Sequence, residues 1–191
     1  MVTEDPYAFR FDCGAEWLNL LATRGRAFGA RPVERLDSVD RLVAWLRHTE
    51  LTPRRRPGDA DLTLALGLRE TLRALALATA EDVPPPPDAV AGLAAFLAAH
   101  PDPVALTGGS RLRRKAPADT GEALGRLARQ AADTLTGPGR TALRVCPETD
   151  CRGVFCDQSG RRRWCPSAAC ASRGRVRALR ARRAGSRTAA R

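Results

Sequence analysis

Five of the six cysteines fall between positions 146 and 170, and four of them make two pairs of equal spacing, Cys146-x4-Cys151 and Cys165-x4-Cys170. Thiolates are soft donors, and two short chelating pairs brought together by a fold are the set that Zn²⁺ takes as a tetrahedron. Pro147 and Pro166 follow the first cysteine of each pair and suit a tight turn around one metal. The pattern is read as a structural site for one zinc per chain. Other chemistries of clustered thiols fit less well. Disulfides belong to an oxidising compartment, and no apolar leader opens the chain. Two distant pairs resemble a zinc clip more than the cysteine run of an iron–sulfur protein. A redox switch would use Cys156 or a reversible disulfide, with zinc release as its trigger. Cys156, in Val-Phe-Cys-Asp, is expected as a buried free thiol on a short strand. Cys13, with no partner at ligand spacing, is expected as a small apolar filler.

Charge is concentrated on the same stretch. The 191 residues carry a net +11, and positions 140–191 hold fourteen arginines and no lysine against Glu148, Asp150 and Asp157. Residues 1–139 hold eighteen basic and eighteen acidic side chains, so the whole excess sits on the cysteine module. Such a step in charge points to a polyanion partner: DNA, RNA or, less so, an anionic membrane surface. Candidate nucleic-acid contacts are Arg161, Arg162 and Arg163 ahead of Trp164, and Arg173, Arg175, Arg177 and Arg180 after Cys170. Helical spacing places Arg173, Arg177 and Arg180 on one face, with Val176 and Leu179 expected to turn toward a small core. A hairpin from Val154 to Trp164 and a helix starting near Ser167 would hold these groups. Arg177 is expected to read bases and Arg162 to hold phosphate. Phe155 and Trp164 are expected to pack around the metal, the alternative being stacking groups for RNA.

The elements that must position this module are mostly helical. Tyr7, Phe9 and Phe11 alternate and suggest a short strand. Apolar spacing turns helical near Ala15, with Trp17, Leu18 and Leu21 on one side. Thr23–Arg31 reads as a basic, glycine-containing loop, whose Arg24, Arg26 and Arg31 are expected as solvated surface. Asp37 or Ser38 caps a helix with Val39, Leu42, Val43 and Leu46 on one stripe, and Trp45 adds to it. Asp59 or Asp61 starts the longest helix, carrying Leu64, Leu68, Leu72 and Leu75. Pro84–Pro87 is a stiff break before a helix over 88–100. Val104–Leu112 reads as a hairpin with a glycine turn, and 120–136 as the last helix before Gly137-Pro138-Gly139. The fold class is therefore mainly α: a helical N-terminal domain over 1–136 with a small β-hairpin, a four-cysteine zinc finger of hairpin and basic helix over 140–184, and a disordered basic tail over 185–191. His48 and His100 have no partner motif, and no phosphate loop, nucleophile elbow or paired carboxylate motif appears, so an enzyme is not expected.

At the cysteine module the order Cys-x4-Cys, Phe155-x-Asp157-x-Ser159, Arg161-Arg162-Arg163-Trp164-Cys165 and Cys170-x-x-Arg173 with a basic helix resembles the CGNR zinc finger. The name-giving Cys-Gly-Asn-Arg stands here as Cys170-Ala171-Ser172-Arg173, which keeps the ligand and the arginine but not the Gly-Asn turn. Cys156 also departs, at a position where a large apolar residue is expected. The N-terminal half is more loosely similar to the ABATE domain, through Leu20-Leu21-Ala22-Thr23, Pro32–Leu36 with its Leu/Trp helix, the Gly-Gly hairpin and the helix leading into the finger. The resemblance implies a stress-related bacterial transcription regulator that binds duplex DNA. Its N-terminal half would sense a ligand or partner, or form a homodimer, by elimination; no effector is indicated. The alternative is a zinc module for RNA or the ribosome. No stretch approaches the ~20 apolar residues of a membrane span, and the expected setting is cytoplasmic and nucleoid-associated, with no membrane partner.

Overall fold

The computed structural model describes residues 5–102 and 104–188. Among them the longest helix, α3 (Asp59–Ala80), is the axis on which the rest packs. It starts at Asp59, one of the two expected positions, and the Asp61 carboxylate accepts from the Gly58 N–H at 2.9 Å to cap the first turn. Leu68, Leu72, Leu75 and Ala76 line its buried side. Around it stand α1 (Glu16–Leu21), α2 (Val39–His48), α4 (Pro87–Ala99) and α5 (Thr120–Thr136). Of the two candidate caps for α2, Ser38 serves: its Oγ accepts from the Arg41 N–H at 3.4 Å. Asp119 does the same for α5 through the Glu122 N–H at 2.9 Å. Trp17, Trp45, Leu42, Leu46, Leu124 and Leu127 are buried as the helical stripes require.

The described residues also form three two-stranded antiparallel sheets. Strands β1 (Arg24–Gly25) and β2 (Val33–Glu34) pair Arg24 with Glu34, so the stretch read as a loop is the tip of a hairpin. Strands β3 (Leu106–Thr107) and β4 (Arg113–Arg114) form a glycine-turn hairpin, its second strand lying just beyond the expected Val104–Leu112. Strands β5 (Leu143–Val145) and β6 (Val154–Cys156) pair Arg144 with Phe155. The segment around Tyr7–Phe11 forms no strand. Phe9 and Phe11 instead meet edge to face at 6.1 Å, and Phe11 stacks on Trp45 and on exposed His48.

Two ion pairs tether the β1–β2 hairpin to α3. Arg69 on α3, its side chain 3 % exposed, donates to both Glu34 oxygens at 2.7 Å and to Thr23 Oγ1 at 3.0 Å. A bidentate pair of this kind fixes orientation as well as distance. Arg24 pairs with Glu70 at 3.5 Å, so it too is bound rather than merely solvated.

The helical unit ends at Thr136 and a 3₁₀ turn, Pro138–Ala142, comes next, but the apolar core does not stop there. Leu143, Val154 and Phe155 join the same buried cluster as Trp17, Leu72 and Leu124, and β5 and β6 lie against α3, with β6 also on α1. Backbone pairing crosses as well: the Cys156 N–H donates to the Cys13 carbonyl at 2.8 Å. Gly14, at φ +96°, is required there, because a side-chain carbon would collide with Cys156. Since Phe155 is fully buried in the shared core, Phe155→Ala is expected to cost about 3–5 kcal/mol. Thermal unfolding followed by the helical circular-dichroism signal should shift as one transition. A helical transition that stays at the wild-type temperature would show that the finger's strands contribute nothing to the helical core.

Candidate metal centre and basic helix

The metal-ligand candidates are placed by short backbone devices. Cys146 follows β5 and its N–H donates to the Gly153 carbonyl at 3.0 Å. The chain then turns through Glu148, whose carbonyl accepts from the Cys151 and Arg152 N–H groups, both at 2.9 Å. Arg152 sits in the left-handed region at φ +43° and completes the reversal into β6. Cys165 comes from the loop after β6, and Cys170 from the first turn of α6 (Ala168–Thr188). The four Sγ atoms all lie within 4.8 Å of one another, with Cys151 and Cys165 at 3.9 Å. A tetrahedron of Zn–S bonds of about 2.3 Å needs sulfurs about 3.8 Å apart, so the donor set fits zinc in number, type and spacing.

Crowding four thiols also sets their protons against one another. Hydrogen bonds from Cys151, Cys165 and Cys170 pull the Cys146 thiol well below its ordinary value, while contacts within the same cluster push Cys151 and Cys165 up. A divalent cation removes this conflict by favouring four thiolates at once. Cys156 lies outside the cluster as a half-buried free thiol, and Cys13 is buried at 4 % exposure. Burial pushes the Cys13 thiol up to about 11, as befits an inert core residue.

The cysteine loop carries an acidic turn whose role is not evident from spacing. Glu148, its side chain 3 % exposed, accepts from Arg177 at 2.6 Å and from Arg173 Nε at 3.5 Å. Asp150 accepts from Arg173 at 3.1 Å and from Arg26, at the tip of the β1–β2 hairpin, at 3.2 Å. The Asp150 carbonyl takes the Phe28 N–H at 3.1 Å. Arg173 also donates to Cys170 Sγ at 3.4 Å, a bond that supports a thiolate. Arg152 pairs with Glu81 beyond the end of α3 at 2.7 Å. The sequence signal that could have found this turn is the presence of two carboxylates inside a C-x4-C loop of an otherwise arginine-rich segment.

Two expectations about the finger's geometry are corrected. The hairpin is β5 with β6, not Val154 to Trp164. After Cys156 the Asp157 carboxylate accepts from the Ser159 hydroxyl at 2.6 Å, the Ser159 N–H and the Arg162 N–H at 2.7 Å, and so folds the chain into a turn. The Ser159 hydroxyl and the Arg162 N–H hold the Asp157 carboxyl below the ordinary carboxylate range. Second, Val176 and Leu179 do not face a core; they are 45 % and 48 % exposed. Cys170, Arg173, Gly174 and Arg177 form the inner face of α6, and at 3.6 residues per turn Val176 and Leu179 then fall on the far side. Gly174 lies so close to the Trp164 indole that a methyl group there would overlap the ring. The remaining candidate arginines, Arg161, Arg162, Arg163, Arg175 and Arg180, are at least partly exposed, with Arg163 over the Trp164 ring at 5.1 Å.

A family model described as "Putative stress-induced transcription regulator", ABATE, matches residues 14–138, more than half of the chain. The chain belongs to this family. The CGNR zinc finger matches residues 142–183, which contain all four clustered cysteines. No curated protein matches the chain. The ABATE segment thus supplies α1 to α5, and the CGNR segment β5, β6 and most of α6. In the described part of α6 the helix runs on through 185–188, which the sequence reading assigns to a disordered tail, and 189–191 lie outside the described residues. No helix among the described residues is long and apolar enough to cross a membrane.

Metal analysis of the purified protein is expected to find one zinc per chain. Serine at Cys146, Cys151, Cys165 or Cys170 should abolish it, while Cys13→Ser and Cys156→Ser keep it. Protons compete with the metal for the thiolates, so zinc should be lost as pH falls and retained as it rises; a chelator-coupled titration reads this directly. Gly174→Ala should weaken the finger because the indole must move, visible as faster zinc loss to a chelator. Two zincs per chain, or a Cys156→Ser variant without metal, would overturn the ligand assignment.

Proposed function

We propose that this protein is a DNA-binding transcription regulator whose zinc-stabilised, arginine-rich finger contacts the duplex, and whose helical half senses a ligand or partner or forms a homodimer. The observation that carries the reading is the division of charge within the finger. Glu148 and Asp150 are engaged by Arg173, Arg177 and Arg26, and the Asp157 carboxylate accepts from the Arg162 N–H and the Ser159 hydroxyl and N–H. Arg161, Arg162, Arg163, Arg175 and Arg180 remain solvent-accessible, and no carboxylate lies within ion-pair distance of any of them among the described residues. A surface of uncompensated arginines on a rigid, metal-held frame suits phosphate oxygens, which arginine contacts in a planar fork.

The RNA alternative leans on stacking, and here the aromatic groups are spent on packing. Phe155 is fully buried, and Trp164 lies against Gly174 with Arg163 over its ring. A cytoplasmic, nucleoid-associated location follows from the DNA reading.

If about five arginines neutralise phosphates, log affinity for duplex DNA should fall with log salt at a slope of about −4 to −5. Replacing Arg161, Arg162 and Arg163 together by Gln should weaken binding to all sequences alike and reduce the slope by about 3. Fluorescence anisotropy of a labelled duplex across a salt series measures both. Salt-independent binding, or an unchanged slope in the triple variant, would remove this surface from consideration.

A further inference from the structure

Resting on the DNA-binding reading, we infer that base recognition belongs to the outer stripe of α6, Ser172, Arg175, Val176 and Leu179, and that Arg173 and Arg177 are the clamp that aims it. The inner face of the helix is fixed by four contacts: Cys170 in the thiol cluster, Gly174 against Trp164, and Arg173 and Arg177 on Glu148. Residues 172, 175, 176 and 179 follow the i, i+3, i+4, i+7 rule and therefore share the opposite face. All four are exposed.

Arg177 is poorly placed to leave its partner. Glu148 is almost fully enclosed, and without Arg177 its only ion-pair partner among the described residues is Arg173 Nε at 3.5 Å. Stripping a buried carboxylate of its closest partner is costly, so swinging Arg177 onto a base would weaken the turn that carries Cys146 and Cys151. Arg175 carries no such obligation among the described residues, since no hydrogen bond or ion pair engages its guanidinium.

The chemistry of the outer stripe matches one groove. The DNA major groove is about 12 Å wide and admits a helix, whereas the deep, narrow groove of A-form RNA does not. There an arginine pairs bidentately with the O6 and N7 of guanine, a serine hydroxyl bonds to either donor or acceptor edges, and apolar groups meet the thymine methyl. Val176 and Leu179, exposed on a helix otherwise crowded with arginine, are the groups such a methyl needs. The site implied is a short duplex element in which a guanine lies beside one or more thymines, flanked by phosphates held by Arg161, Arg162, Arg163 and Arg180.

The test uses the zinc-loaded full chain and a pool of duplexes randomised over about 20 base pairs, from which a preferred sequence is selected. Wild type, Arg175→Ala, Leu179→Ala and Arg177→Ala are then titrated with the selected duplex, its single-base variants and a scrambled control, and zinc content is measured alongside. Arg175→Ala is expected to lose about 10- to 100-fold on the selected duplex, to stop discriminating at one G·C pair, and to keep its zinc. Leu179→Ala should lose preference at a thymine. Arg177→Ala should lower affinity for selected and scrambled duplexes alike, keep the same preferred bases, and give up zinc more readily to a chelator. A zinc-replete Arg175→Ala with unaltered base preference overturns the assignment. So does an Arg177→Ala that loses preference at one base pair, or a selection that returns no preferred sequence. Wild-type protein that fails to bind any duplex overturns the DNA-binding reading as well.

Discussion

A finger of some forty residues has too little apolar surface to hold itself together, and this constraint shapes the whole chain. Small modules fall short of a self-sufficient core and commonly take a metal to make up the difference. Here the metal site is joined by a second support. The β5–β6 pair turns Leu143, Val154 and Phe155 into the helical core, where they meet residues of α1 and α3. Zinc then closes only the parts that this strand pair leaves open: the acidic turn on one side, and the Trp164 loop with the start of α6 on the other. The match to two family models describes two sequence units, but the apolar cluster is continuous across them.

The acidic turn explains how so arginine-rich a module stays ordered. Unpaired like charges crowded onto one small module would repel one another. Glu148 and Asp150 instead draw Arg173 and Arg177 inward, and Arg173 supports the Cys170 thiolate while it does so. Arg173, in Cys170-Ala171-Ser172-Arg173, is thus tied to the metal site by its own contacts. Arginine serves here because its planar fork engages two acceptors at once, Asp150 through one nitrogen and Glu148 through another.

Much of this was legible from residue types and spacing. Matched C-x4-C pairs point to the four cysteines that the fold brings together, because metal chelation depends on local spacing, and local spacing is visible in a sequence. The helices at 39–48, 59–80 and 120–136 followed from apolar period and flanking polar residues, with the choice between Asp37 and Ser38 as a cap decided only by geometry. The illegible features depend on rotation and long-range pairing. Spacing puts Arg173 and Arg177 on one face of the helix but does not say which way that face points. That was set by Glu148, twenty-nine residues from Arg177 in the chain. The same holds for β5, whose partner β6 lies across the cysteine turn, and for the tip of the β1–β2 hairpin, which meets Asp150 from more than a hundred residues away. The alternating run at Tyr7–Phe11 misled because Phe9 packs on Phe11, and Phe11 on Trp45 and His48, rather than alternating across a sheet.

These long-range contacts form one physical path between the helical half and the basic helix. Arg69 on α3 holds Glu34 and Thr23, which fixes the β1–β2 hairpin. The tip of that hairpin places Arg26 and the Phe28 N–H on Asp150, and Asp150 shares Arg173 with Glu148. A parallel contact joins Glu81, just past α3, to Arg152 in the same turn. Each link is a charge-assisted hydrogen bond or a backbone pair, so each has a preferred direction as well as an energy. The orientation of α6 is therefore set from two sides: by its cysteine within the metal site, and by an acidic turn whose position is dictated by the hairpin and by α3. A regulator built this way needs no flexible linker between its halves, because displacing the hairpin would be felt first at Asp150 and then at the arginine that supports a metal ligand.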